Sequence, residues 1–347
     1  MGFKSSQVKS SEKGLYSRLG FWVRMNIQAT VTPLVDLSAF STLCGGRRVL
    51  GKLECLQKAK SFKYRGILHL CKTYQLQGKK MLVSSSGGNA GFATAVVGKE
   101  LKMDVVVFVP SSTQPFMRGL IEKAHAKVVV AGEHWAQANE AAQAFLKERG
   151  EECGFVHPFD NPILWEGHSQ IVQEIKEQLN GERPDVIVLS VGGGGLLLGV
   201  HQGLANVGWG DDVRIMAVET FGAESLNASV VAGQHVTLDG IKSVAKTLGA
   251  VRVADACYAL STRGPDVIQS VVVSDEEAVD AISIFRSCKE ANGALVEPAC
   301  GAALAALSKL TWFRESDKLV VVIVCGGSAI SDELLDFYKK NCYTPTK

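Results

Sequence analysis

Four consecutive glycines, Gly192, Gly193, Gly194 and Gly195, follow the apolar run DVIVLSV and open the helical run LLLGVHQGLANVG. Glycines cost backbone entropy on folding. In a strand-to-helix turn they bring backbone N–H groups close to an anion at a helix N-terminus. The pattern favours a phosphate site, with a tight turn and close strand–helix packing as the structural alternative. Two more polar glycine turns follow apolar runs: Ser84-Ser85-Ser86-Gly87-Gly88-Asn89-Ala90-Gly91 after KKMLV, and Cys325-Gly326-Gly327-Ser328 after LVVVIV. Ligands of an open α/β sheet bind outside the carboxyl ends of its strands, so the three loops are expected to converge. Hydroxyls, an amide and free N–H groups, with no arginine among them, suit a carboxylate or phosphate held by backbone dipoles.

Rival phosphate motifs fit less well. A dinucleotide fingerprint would need a third glycine where Leu197 or Leu198 stands, although Glu219 at the end of the next strand keeps that reading open. Gly46-Arg47-Arg48-Val49-Leu50-Gly51-Lys52 approaches an ATP-binding loop, but Leu53 replaces the magnesium-binding hydroxyl and the segment reads as strand. ATP is therefore rejected. Nine cysteines, an odd number with no CxxC pair and mostly within apolar segments, point to reduced thiols in a reducing compartment.

The elements that must position these loops follow from composition and periodicity. The 347 residues are 46% hydrophobic and 21% charged, which excludes a disordered chain. The 37 basic and 35 acidic residues nearly cancel, so no general basic field supports a nucleic-acid partner. No apolar run reaches the roughly 20 residues of a membrane helix. Runs such as DVVVFVP (104–110), KVVVAG (127–132), DVIVLSVG (185–192), VRIMAVE (213–219) and LVVVIVCGG (319–327) are continuously apolar, as buried parallel strands are. Helices are expected over 89–102, 133–150 and 274–292, the last opened by a Ser274–Glu277 capping box. The fold class is α/β, with two doubly wound halves: 28–63 plus 161–347 as the larger, and 64–160 as the smaller, the boundary falling at VHPFDNP (156–162). Residues 1–27 form a basic extension that reads as flexible. Five basic residues against Glu12 give 1–26 a charge of +4. A transit peptide or the loose myristoylation pattern at Gly2 is a weaker reading of it. The expected location is cytoplasmic, with mitochondrial import the less favoured alternative.

The order of motifs, Ser61-Phe62-Lys63-Tyr64-Arg65-Gly66, SSSGGNAG, SVGGGG, ETFGAES (219–225), EPACGAALAA (297–306) and VIVCGGS, resembles the pyridoxal-phosphate-dependent L-serine/L-threonine dehydratases of fold type II, from about Thr32 to the end. The resemblance implies two α/β domains with pyridoxal 5'-phosphate between them, and β-elimination of L-serine and L-threonine to keto acids and ammonia. It implies that Lys63 holds the cofactor as a Schiff base and removes the α-proton. Phe62 would cover one ring face, Asn89 the ring hydroxyl, Gly192, Gly193, Gly194, Gly195 and Leu196 the phosphate, and Cys325 the ring nitrogen. Ser86, Gly87, Gly88, Asn89 and Ala90 would cradle the substrate carboxylate. A potassium site would use Glu219 and Ser225 with the carbonyls of Gly192, Ala223, Leu248 and Ala250. A homodimer is implied as well.

The sequence departs from the family pattern in three places. Lys58-Ala59-Lys60 replaces the usual Pro-Ser-Gly before Ser61, placing two cations near the expected cofactor mouth, with simple solvent exposure the favoured account. Thr247 replaces an alanine expected against the second ring face. Gly87 stands where racemases of this fold carry a second, basic serine, which favours elimination over racemisation. It is also the residue that less active dehydratase-like paralogues use. Racemisation, β-replacement and a weakly active paralogue remain the competing functions. No regulatory domain is expected after the elimination unit.

Overall fold

The computed structural model describes residues 27–342, so the readings placed on residues 1–26 lie outside the described residues, as does 343–347. Among the described residues ten strands form two sheets. The larger runs in the order β1 (Leu34–Asp36), β2 (Arg48–Lys52), β10 (Leu319–Ile323), β7 (Val186–Ser190), β8 (Arg214–Thr220), β9 (Ile268–Val273), parallel except for β1. The smaller is wholly parallel, in the order β5 (Lys127–Val130), β4 (Asp104–Val109), β3 (Met81–Ser84), β6 (Cys153–Val156). Strands β7, β8 and β10 are buried along their whole length, the consequence expected of continuous apolar runs covered on both faces. β9 and β5 lie at sheet edges and keep partial exposure. The Walker-like segment is strand β2.

The helices are α1 (Ser38–Leu43), α2 (Lys63–Leu76), α3 (Asn89–Leu101), α4 (Pro115–Lys123), α5 (Trp135–Arg149), α6 (Pro162–Gln178), α7 (Gly195–Asn206), α8 (Ser225–Ala232), α9 (Asp255–Ser261), α10 (Asp275–Ser287), α11 (Pro298–Ala306) and α12 (Asp332–Asn341). The Ser274–Glu277 capping box forms at α10, which ends at Ser287, short of the expected 292, because the chain turns there into a separate 3₁₀ segment. Asn161 caps α6, with Pro162 in its first turn.

A buried ionic cluster ties α2 to β2 and α6. Arg65 donates through Nε and Nη2 to Glu54, at 2.7 and 2.8 Å, and through Nη1 and Nη2 to Glu174, at 2.6 and 2.7 Å. Lys52, fully buried, also pairs with Glu174 and donates to Thr32 O at 2.6 Å. Buried charges persist only when each is paired and hydrogen-bonded, and here both cations are. The lysine of the Walker-like segment is therefore committed to the scaffold, and the same cluster fixes the helix whose first residue is Lys63.

Candidate active site

The segment leading into α2 is stitched to the loop after β10. Lys60 O accepts from Gly327 N at 2.8 Å, Ser61 pairs with Gly326, and Phe62 N donates to Cys325 O at 3.1 Å. Lys60 holds a left-handed φ of 56°, in the position where the family pattern has glycine. Lys63 follows at the helix start. Its Nζ donates to Pro158 O at 2.7 Å and sits 5.0 Å from the Phe62 ring centroid. The side chain keeps some solvent access while its amine end lies deep in the protein. Burial lowers its pKa to about 8, partly opposed by Cys325.

Pro158 also leads to the glycine loop. The Phe159 ring lies so close to Gly193 that a Cβ there would fall 2.1 Å from it, and a Cβ on Gly195 would meet Phe159 O at 2.7 Å. Gly194 adds a φ of +93° and would drive a Cβ to 2.5 Å from Cys257. Close packing thus accounts for the glycines, and the N–H groups of Gly193, Gly194, Gly195 and Leu196 have no acceptor among the described residues, which is the arrangement an anion site would need. The buried Ser190 hydroxyl, at the end of β7, is also without a partner among them. His157 Nδ1 accepts from Asp160 N at 2.7 Å and from Phe159 N at 3.3 Å. Burial, with Lys63 second, lowers its pKa to about 4, so it stays neutral and able to accept.

The third loop arrives from the other sheet. Asn89, at the start of α3, accepts through Oδ1 from Ser328 N at 2.8 Å and from Ser328 Oγ at 2.7 Å, and its Nδ2 donates to Glu297 at 3.1 Å. The buried Glu297 carboxylate also accepts from Ala329 N at 2.6 Å and from the Thr247 hydroxyl. Burial raises its pKa, and the Thr247 and Ala329 bonds oppose that first. The expected convergence of the SSSGGNAG and CGGS loops is therefore a bonded contact, and β10 and β7 are parallel neighbours, which brings the glycine loop to the same edge.

Other residues singled out in the sequence fall as follows. Lys58 pairs with Glu100 at 2.8 Å, and Glu100 also takes the Tyr64 hydroxyl. Lys60 is exposed. Ser86 Oγ accepts from Gly88 N at 3.3 Å, and Ala90 is buried. The space above Gly87 is filled: a Cβ there would lie 2.4 Å from Thr113 Oγ1. Glu219 accepts from Leu226 N at 2.8 Å and from Asn227 N at 2.7 Å. Each of its oxygens thus accepts one backbone N–H at the N-terminus of α8. Burial raises its pKa to about 8. The Ser225 hydroxyl is buried without a partner among the described residues. Gly192 adjoins Leu248, whose carbonyl would be 3.3 Å from a Cβ at 192.

Pro158, Phe159, Glu297, Thr113 and His168 were not legible as site residues. His168, on α6 and fully buried, rests against Phe62 at 4.9 Å between ring centroids, and neither ring nitrogen has a partner among the described residues. Burial, followed by Lys63 and Arg65, holds its pKa well below the ordinary value.

A deeply placed amine beside an aromatic ring, free amides at a helix N-terminus and an amide–carboxylate clamp, all at one sheet edge, define a site for a phosphate-bearing carbonyl cofactor. The family described as pyridoxal-phosphate dependent enzyme matches residues 26–326, and the chain belongs to that family. Human L-serine dehydratase/L-threonine deaminase is 46% identical over 308 residues, covering 86% of this chain and 91% of the relative. A mouse serine dehydratase-like protein is 44% identical, covering 89% and 93%. The solved L-serine ammonia-lyase of the fungus Rhizomucor miehei superposes with a TM-score of 0.81 at 33% identity, covering 90% of this chain and 98% of that one. Among the described residues no helix is long and apolar enough to cross a membrane.

Proposed function

We propose that this protein is an L-serine and L-threonine ammonia-lyase, forming pyruvate or 2-oxobutyrate with ammonia. The observation that carries the reading is Lys63, an amine with a pKa lowered to about 8, held beside Phe62 at the junction of the three loops. The names of the relatives support the substrate class. Bound pyridoxal 5'-phosphate supplies a carbonyl for amines and a conjugated ring that draws electron density from the α-carbon.

The residues fit that group. The free amides of Gly193 to Leu196, with the unpartnered Ser190 hydroxyl, would hold its phosphate, Phe62 one ring face, and Asn89 the ring oxygen. Lys63 would hold it covalently at rest and, displaced by the substrate amine, take the α-proton. Cys325 would face the ring nitrogen. A thiol is a weak donor, so it favours elimination, in which the β-hydroxyl leaves as the α-proton departs. Ser86, Gly87, Gly88, Asn89 and Ala90 would hold the substrate carboxylate. Water lost from the substrate returns when the released enamine hydrolyses, so the net reaction needs no co-reactant.

The reading includes a potassium ion on Glu219, Ser225 and the carbonyls of Gly192, Ala223, Leu248 and Ala250. It is supported by the unpartnered Ser225 hydroxyl and by oxygen donors that suit a hard cation. It further includes a cytoplasmic homodimer, for which exposed Phe221 and Val231 offer apolar surface, and two lobes, 28–63 with 161–347 and 64–160, along the division between the two sheets. The test is pyruvate formation from L-serine by the wild type and by Lys63→Ala. The wild type is expected to turn over and the variant to lose activity by at least a thousandfold, on the order of what removing a nucleophile and base costs. Comparable rates in both would refute the assignment.

A further inference from the structure

Gly87 has no left-handed φ. Its backbone would accept an L side chain, and what opposes one is the Thr113 side chain. An ideal Cβ at 87 would lie 2.4 Å from Thr113 Oγ1, 2.7 Å from Thr113 Cγ2 and 3.1 Å from Thr113 Cβ. Thr113 belongs to the loop between β4 and α4, and is held by its own N–H donating to Pro110 O at 3.0 Å. Its side chain is partly exposed, and its hydroxyl makes no hydrogen bond with any described residue. The next residue, Gln114, lines an open depression with Phe116 from α4 and with Ala329 and Ile330, which follow the CGGS loop. Ala329 N is the group that binds Glu297, the partner of Asn89. Thr113 therefore stands over the loop assigned to the substrate, next to a residue that borders the segment after the CGGS loop.

We infer that Thr113 is a specificity-determining residue, whose hydroxyl and methyl occupy the place a residue-87 side chain would take and contact the amino-acid substrate. The inference rests on the lyase reading for the identity of that substrate. No carboxylate, imidazole or amine among the described residues bonds the hydroxyl, so nothing activates it as a base. It acts as a hydrogen-bonding group and a wall, and elimination remains a one-base reaction. Residues 87 and 113 then form a pair that competes for one space, so a side chain added at 87 must displace that of Thr113.

The experiment is a double-mutant cycle on the cofactor-loaded protein with Gly87→Ser, Thr113→Gly and both together, alongside Thr113→Val. Melting temperature, pyruvate kinetics on L-serine and chiral analysis of the residual serine are measured. Gly87→Ser alone is expected to lower the melting temperature, and the double variant to recover most of that loss, since contacting sites are not additive. Equal losses in the single and double variants would overturn the packing claim, whatever the enzyme acts on. Thr113→Val keeps the shape and is expected to raise KM for L-serine about fivefold to tenfold, with kcat and melting temperature little changed, as loss of one hydrogen bond to substrate predicts. An unchanged KM would overturn the substrate contact. D-serine formed by the wild type at a rate comparable to pyruvate would overturn the one-base role. Absence of pyruvate from the wild type would instead refute the lyase reading and leave the melting cycle to decide the packing claim.

Discussion

Replacing Lys60 by glycine isolates the strain at the entrance to the site. Lys60 holds φ 56°, a conformation that costs an L residue about 1–2 kcal/mol relative to the right-handed region. Its backbone bonds, Lys60 N to Gln57 O at 2.7 Å and Gly327 N to Lys60 O at 2.8 Å, need no side chain and survive in glycine. The exposed ammonium has no partner among the described residues, so nothing else is removed. Against the gain stands the greater freedom of glycine in the unfolded chain, roughly 0.5–1 kcal/mol. The net expectation is a stabilisation of about 0.5–1 kcal/mol, or ~0.7–1.4 °C in melting temperature for a chain of 347 residues. Lys60→Ala is the control, because it deletes the charge but keeps the Cβ that causes the strain, and it should gain nothing. Both variants are melted at one scan rate, with the cofactor saturating, and kcat/KM for L-serine is measured beside them. Equal melting of Lys60→Gly and Lys60→Ala would refute the strain argument. A tenfold fall of kcat/KM in both would show that the ammonium acts on substrate, and that simple solvent exposure is the wrong account of it.

Three further outcomes follow from the site. Below its folded pKa of about 8 Lys63 is an ammonium, so the rate at which the cofactor-free protein takes up pyridoxal phosphate should climb about tenfold per pH unit up to near 8 and then level. Between about 8 and the ordinary lysine value the unfolded chain binds the proton that the folded chain does not, so the cofactor-free protein should gain stability with rising pH in that window relative to Lys63→Met. A rate still climbing beyond pH 10 would contradict the lowered pKa. On the proposed cation site, potassium should raise melting temperature and activity, since an ion held only by the native state would stabilise it, and exchange into tetramethylammonium should reverse both. Identical melting in the two salts would remove the cation from Glu219 and Ser225.

The parts of the fold visible in the sequence are those that one segment encodes by itself. Continuous apolar runs gave β7, β8 and β10, because burial on both faces leaves no alternation, and Ser274 with Glu277 marked the start of α10. The glycine loop could be read because strand, turn and helix adjoin in the chain. Lys63 could be singled out only through the order of motifs, since a lysine beside two aromatic residues carries little signal. The missing site residues work through contacts between distant segments. Pro158 meets Lys63 across 95 positions as a carbonyl that any residue carries, and Glu297 meets Asn89 across 208. Thr113 matters because of the volume it takes from Gly87, and neither residue reports that alone. Simple solvent exposure is the favoured account of Lys58 from sequence, and its ion pair with Glu100 could not be read there because that partner lies 42 residues away.

The central claim is that Lys63 is the residue on which the cofactor and the chemistry converge. It is tested most directly by reducing the cofactor-loaded protein with borohydride, digesting it and locating the pyridoxyl label by mass spectrometry. The account predicts a single labelled peptide containing Ser61-Phe62-Lys63, with the label on Lys63 and lost when L-serine is present in excess before reduction. A label on any other lysine, or one that excess L-serine leaves in place, would contradict it.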